Sequence, residues 1–338
     1  MSAAPGRPQA SSHRSAQHEG TPLTAMAAER RQRLGFWLGA LGVTLFAITL
    51  PATRLATGSA DDTQLAPLFI TVGRAATAGL LSLAFLLVTR SPWPQRRHWG
   101  PLLGAVAGNV IGYPLLLALA LRSVTATHAA VVTALLPLVT AVAAALILGQ
   151  RARLGFWACA VAGSALVVVF AWLRADQAGG FGLARADWLL LGAVVAASVG
   201  YVYGAQVTPE LGAERVICWM CVLTLPFSLP ATLWLWPDTA AHPVRASAWL
   251  GFAYVGCVSM WAGFFAWFRG LDWGGALRVS QVQLLQPFLS MLFALPLLGE
   301  RLDAGSIGFA LAVVATVVLG RRISRPAAAA SIVQGDPT

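Results

Sequence analysis

Charge is what this sequence has least of. Of its 338 residues only 11% are Asp, Glu, Lys or Arg, less than half the share usual in a soluble domain. There is no lysine, and there are only 13 acidic residues. So few ionised groups cannot cover a large globule with water-facing side chains, which excludes an ordinary soluble enzyme or binding domain. Cysteine is equally sparse. The four residues Cys159, Cys218, Cys221 and Cys257 all lie in apolar runs, so neither a disulfide framework nor a zinc site is expected. The CxxC of Cys218 and Cys221 reads as small apolar packing rather than redox chemistry. Signatures of hydrolytic chemistry are missing too: there is no HExxH, no GxSxG and no pair of carboxylates within an apolar run. No metal and no cofactor is expected.

What the chain does contain is hydrocarbon. Its hydrophobic share is 57% and its mean hydropathy +0.70. Runs of roughly 20 apolar residues cross about 30 Å of lipid as helix. Ten are expected here, over 35–55, 67–89, 100–121, 126–148, 155–173, 187–207, 215–235, 247–268, 276–298 and 304–320. They are numbered spans 1 to 10. The fold class is therefore an all-α polytopic membrane protein. Its partners are the lipid bilayer and a small-molecule substrate, with the chain acting as a monomer or a homodimer.

A net charge of +10 suggests nucleic acid until the arginines are placed. With the N-terminus in the cytoplasm, fifteen fall in tails and inner connectors and five in outer connectors. That bias orients multi-helix proteins, so the charge records topology and no nucleic-acid partner is expected. Both termini then lie on the cytoplasmic side of the cytoplasmic (inner) membrane. Residues 1–33 and 322–338 are too polar and small to bury a core and read as disordered cytoplasmic tails. Between them stand one unit over 34–174, an outer linker over 175–186 and a second unit over 187–321.

The two units repeat each other. ALLPLVTAVAAALILGQR (Ala134 to Arg151) and LLQPFLSMLFALPLLGER (Leu284 to Arg301) share a layout, and Pro137 with Pro287, Gly149 with Gly299 and Arg151 with Arg301 all stand 150 apart. Each unit has five spans, an odd number, so the second enters the membrane from the opposite side. The repeat is inverted, an arrangement that places a substrate site near mid-membrane between the halves.

Pro137, Pro287, the closing LGQR and LGER, and VGRAATAGL (Val72 to Leu80) resemble the EamA-type branch of the drug/metabolite transporter superfamily. The resemblance covers about residues 35–320 and implies export or exchange of small metabolites through a central cavity. Members usually carry Glu where this chain has Gln150. Arg74 resembles the arginine that the family carries in span 2.

The prolines also identify site residues. Each lacks the N–H that bonds the carbonyl four residues earlier, freeing those of Thr133 and Gln283. In lipid such a carbonyl must face protein or a water-filled cavity, which points both breaks at the seam between halves. At about 100° per residue, Gln283, Gln286, Pro287 and Ser290 share one face of span 9. Thr133, Pro137 and Thr140 form the weaker equivalent on span 4. Asn109 and Tyr113 are four apart on span 3, and Ser259 is the repeat equivalent of Asn109. These residues are expected to bind substrate, the alternative being that they only bond neighbouring helices. Gly104, Gly108 and Gly112 form a stripe for close helix packing. Tyr201 and Tyr203 point about 200° apart, so only one of them can face a cavity. Phe264 and Trp267, with Trp261 and Phe265, could wall one.

Charged candidates are few. Arg74 lies inside span 2, where it contacts substrate or pairs structurally. His128 and Glu300 sit at span ends and are the candidates for coupling. With no carboxylate at mid-membrane, a neutral or zwitterionic metabolite, amino acid-like or drug-like, fits better than a polycation. The reading is a secondary transporter working by alternating access, in the direction of export. An intramembrane lipid-modifying enzyme, a channel and an anionic sugar-phosphate or nucleotide-sugar carrier are the rivals.

Overall fold

The computed structural model describes residues 22–149, 154–177, 184–239, 242–274 and 282–324. Among them every regular element is helical, apart from one isolated backbone bridge between Gly58 and Thr63. The helices form the ten spans in order. Span 1 is Pro22–Ala47 followed by Thr49–Thr57; span 2 is Pro67–Val88; span 3 runs from Arg96 to Ala120; span 4 joins Ala126–Thr133 to Leu136–Ile147. Spans 5, 6 and 7 are Leu154–Gln177, Arg185–Leu211 and Ala213–Trp234. Span 8 runs from Ala246 to Gly274, span 9 from Val282 to Leu298, and span 10 is Ala304–Ser324. Seven are long and apolar enough to cross a membrane, and the apolar stretches of spans 5, 9 and 10 are shorter.

The N-terminal boundary differs from the expectation. Residues 22–33, read above as tail, are the first turns of span 1. Pro22 at the first position and the good helix formers Ala, Met, Glu, Arg and Leu after it favour helix, although Met26, Ala27 and residues 29–33 are exposed. Span 10 likewise runs to Ser324. Gln150, Arg151 and Arg278 lie outside the described residues.

The halves are related by a two-fold exchange of spans 1–5 with 6–10. Span 1 packs on span 8 as span 6 packs on span 3, and span 9 packs on span 1 as span 4 packs on span 6. Spans 2 and 7, 4 and 9, and 5 and 10 meet their own counterparts. The exchange extends to backbone detail. Span 4 restarts at Leu136 and span 9 at Gln286, each with its proline in the first turn. Gly149 and Gly299 follow these helices with φ of 64° and 66°, the left-handed conformation that glycine reaches without strain. That conformation is the physical reason for the glycine in LGQR and LGER. Spans 3 and 8 each contain a π-helical segment, Val106–Gly112 and Tyr254–Ala262, and the two end 150 residues apart.

Glycine sets the closest crossings. A Cβ at Gly108 would lie 2.3 Å from the Ala196 carbonyl and 2.7 Å from Gly200, so spans 3 and 6 touch backbone to backbone. Spans 1 and 8 do the same at Gly35 against Gly274. Close approach of small residues drives helix association where lipid offers no hydrophobic contrast.

Candidate central cavity

A cavity of about 1080 Å³ opens at the end of the bundle that carries Arg215 and Arg269, among spans 1, 3, 6, 7, 8 and 9. The short loop at Gly212, with spans 6 and 7 rising from it, forms one wall. Phe46, Tyr201, Phe264, Trp267, Phe268 and Trp273 make its lining strongly aromatic, and Asn109 and Gln283 supply amides. At the mouth Arg269 Nε meets Glu214 Oε1 at 2.6 Å. Beyond it a chamber of about 20 Å³, the size of a single water site, lies between the two broken helices. Thr133, Pro137, Gln286, Pro287, Ser290 and Tyr113 line this chamber, and Gln283 borders both spaces.

The expected residues therefore divide. Asn109 faces the large cavity; Tyr113, Thr133, Gln286 and Ser290 face the small chamber; Gln283 faces both. Both residues whose carbonyls the prolines free, Thr133 and Gln283, border the chamber, as the cost of a bare carbonyl in lipid requires. Thr140 and Ser259 border neither space. Thr140 Oγ donates to Ser198 Oγ at 3.1 Å on span 6, and Ser259 Oγ lies 2.8 Å from Thr49 Oγ on span 1. Both residues bond neighbouring helices, which was the alternative weighed for them. Tyr201 is the cavity-facing tyrosine; Tyr203 covers Gly104 instead. Phe264 and Trp267 line the cavity, whereas Trp261 and Phe265 do not.

At the opposite end the carboxylates of Glu300, Asp187 and Asp62 each join one half to the other. The Glu300 carboxylate accepts from the backbone N–H groups of Ala126 and Thr127 at 2.7 and 2.8 Å and from the Thr127 hydroxyl at 2.7 Å. It caps the positive N-terminus of span 4, where a negative charge is favoured. His128 Nε2 sits 2.7 Å from Asp187 Oδ1, and Arg245 pairs with Asp62 at 2.8 Å. Arg54 adds a bond to the Leu121 carbonyl.

Arg74 stands apart from these pairs. It is buried to 3% exposure, its Nε is enclosed without a hydrogen-bond partner, and Tyr113, Tyr201 and Cys221 are its electrostatic neighbours. Among the described residues no group of three or more His, Cys, Asp or Glu could hold a metal ion.

Two five-helix halves related by an exchange of contacts around a cavity have the build of a membrane carrier. The chain belongs to the EamA-like transporter family, whose model matches it twice, over residues 33–172 and 184–321. It is 42% identical over 290 residues to the transporter YdeK of Bacillus subtilis (strain 168), covering 86% of this chain and 98% of that one. The aromatic amino acid exporter YddG of Ancylobacter novellus is 27% identical over 272 residues, or 79% of this chain and 89% of its own. A solved crystal structure 23% identical in sequence shares the fold with a TM-score of 0.56, over 88% of this chain and 98% of that chain.

Proposed function

We propose that the protein is a secondary transporter that exports a small neutral or zwitterionic metabolite with an aromatic or apolar side chain. The observation that carries this reading is the aromatic cavity at the Arg269 end, with polar contacts joining the halves at the Glu300 end. A pocket of this size accepts a solute of amino-acid dimensions, its rings stacking on Phe and Trp and its polar groups reaching Asn109 and Gln283. The name of the YddG relative, an aromatic amino acid exporter, agrees with that lining.

The arginines at the open end support placing it, with both termini, on the cytoplasmic side of the cytoplasmic membrane. The observed state is then open inward, and rocking one half against the other would break the Glu300 bonds and close the Arg269 mouth. Residues 34–174 and 187–321 are the moving halves. An intramembrane enzyme is disfavoured because the lining offers no nucleophile paired with a base.

Counterflow tests this: purified protein in sealed vesicles, preloaded with unlabelled L-phenylalanine or L-tryptophan, should accumulate the labelled amino acid transiently and saturably. Conversion of substrate without movement across the vesicle would replace the carrier reading with an enzymatic one.

A further inference from the structure

We infer that Arg74 is the anchor for a carboxylate on the transported molecule. Arg74 lies seven residues into span 2, about 10 Å from its start. Its backbone packs on the π-helical segment of span 8, where a Cβ on Gly256 would lie 3.5 Å from the Arg74 Cα. Its neighbours Tyr113 and Tyr201 border the two spaces of the substrate path, Tyr201 the large cavity and Tyr113 the chamber between the broken helices. Arg74 itself lines neither space; it stands behind the two tyrosines, one of which borders each.

An arginine keeps its charge at any pH a cell meets. Removing that charge from water is costly unless an anion and hydrogen bonds replace the hydration. None of the carboxylates at the span ends is among the electrostatic neighbours of Arg74, and five of them are committed elsewhere: Asp62 to Arg245, Asp187 to His128, Glu210 to Arg97, Glu214 to Arg269 and Glu300 to span 4. Among the described residues Arg74 has no ion pair or hydrogen bond, and its Nε is enclosed. The missing counter-charge is the substrate's. A carboxylate suits the place: it is planar, matches the guanidinium fork and carries one negative charge. A phosphate, with close to two negative charges, would need a second buried cation. The two tyrosine hydroxyls can donate to the same carboxylate.

This assignment rests on the carrier reading, but a binding experiment separates the two. The probes are 3-phenylpropionate, which keeps the ring and the carboxylate, and phenethylamine, which keeps the ring and replaces the carboxylate with a cation. Binding to the detergent-solubilised full chain is followed by tryptophan fluorescence, since Trp267 and Trp273 line the cavity. The acid should bind at least about tenfold tighter than the amine, as expected for one charge-assisted pair. Arg74→Gln should abolish that preference. Arg74→Lys, which keeps the charge but loses the fork, should retain the preference with about tenfold weaker binding; it also decides the matter if the Gln variant fails to fold. Equal or tighter binding of the amine, binding of neither probe, or an undiminished acid preference in both variants overturns the assignment. Acid-selective binding without counterflow in vesicles would leave Arg74 as the anchor and overturn the carrier reading instead.

Discussion

Ser290 Oγ donates to the carbonyl oxygen of Ala47 at 2.8 Å, both groups being fully buried. Pro51 lacks the N–H that would bond that carbonyl within span 1, and the helix is interrupted at Ile48. Ser290 on span 9 thus completes a broken helix in the other half. Its repeat equivalent Thr140 makes the matching bond from span 4 to Ser198 of span 6. The seam is fastened twice by one device.

Ser290→Ala should therefore destabilise the protein by about 1 kcal/mol, within the range of interhelical bonds in membranes. Thr140→Val should cost less, because the longer bond at 3.1 Å serves a hydroxyl rather than an orphaned carbonyl. Thermal unfolding of both variants in the same detergent measures the difference.

Glu300→Ala removes three hydrogen bonds to the start of span 4 and should loosen that end of the bundle. Bonds to a charged group are worth roughly 1.5–3 kcal/mol, enough to shift a two-state equilibrium at least tenfold. Spin labels at exposed Ser123 and Arg301, on a cysteine-free background, should show a longer distance population that is minor in the parent protein. An unchanged distribution would mean that Glu300 does not hold the end shut.

Gly108→Leu should abolish folding. Its side chain would enter the Ala196 carbonyl and the Gly200 backbone, and strain of about 3 kcal/mol is the least expected where two helix backbones must separate. Gly100→Leu is the control, since a Cβ there meets nothing within 4 Å. Size-exclusion profiles of the two variants should separate cleanly.

Asn109→Ala and Gln283→Ala should each reduce counterflow about tenfold, the equivalent of one substrate hydrogen bond, with little change in melting temperature. Neither amide makes a hydrogen bond within the described residues. Equal transport by both variants would remove them from the site.

Much of this architecture is legible in composition and period. Hydrocarbon length marks the spans, odd parity inverts the repeat, and the freed carbonyls locate the breaks at Pro137 and Pro287. Other features leave no local trace. The π segments of spans 3 and 8 read as ordinary apolar helix, because one extra residue in a turn does not alter hydropathy. Periodicity gives the face of a helix but not the neighbour on it, so Thr140 and Ser259, placed with the cavity residues, bond adjacent spans instead. The third break, at Pro51, has no counterpart at the 150-residue offset and escapes any argument from repetition. The aromatic lining is assembled from spans 1, 6 and 8 and exists only once they pack.

A polar latch of carboxylate, imidazole, guanidinium and backbone amide ties the halves together at the Glu300 end. When such a latch parts at the membrane rim, water takes over each released donor and acceptor, so a bond to a charged group that is far stronger in isolation costs only roughly 1.5–3 kcal/mol net. A greasy plug would resist wetting. In the proposed transport cycle, hydration-exchangeable fastenings would let the bundle toggle on thermal energy while still shutting tightly enough to stop leakage between turnovers.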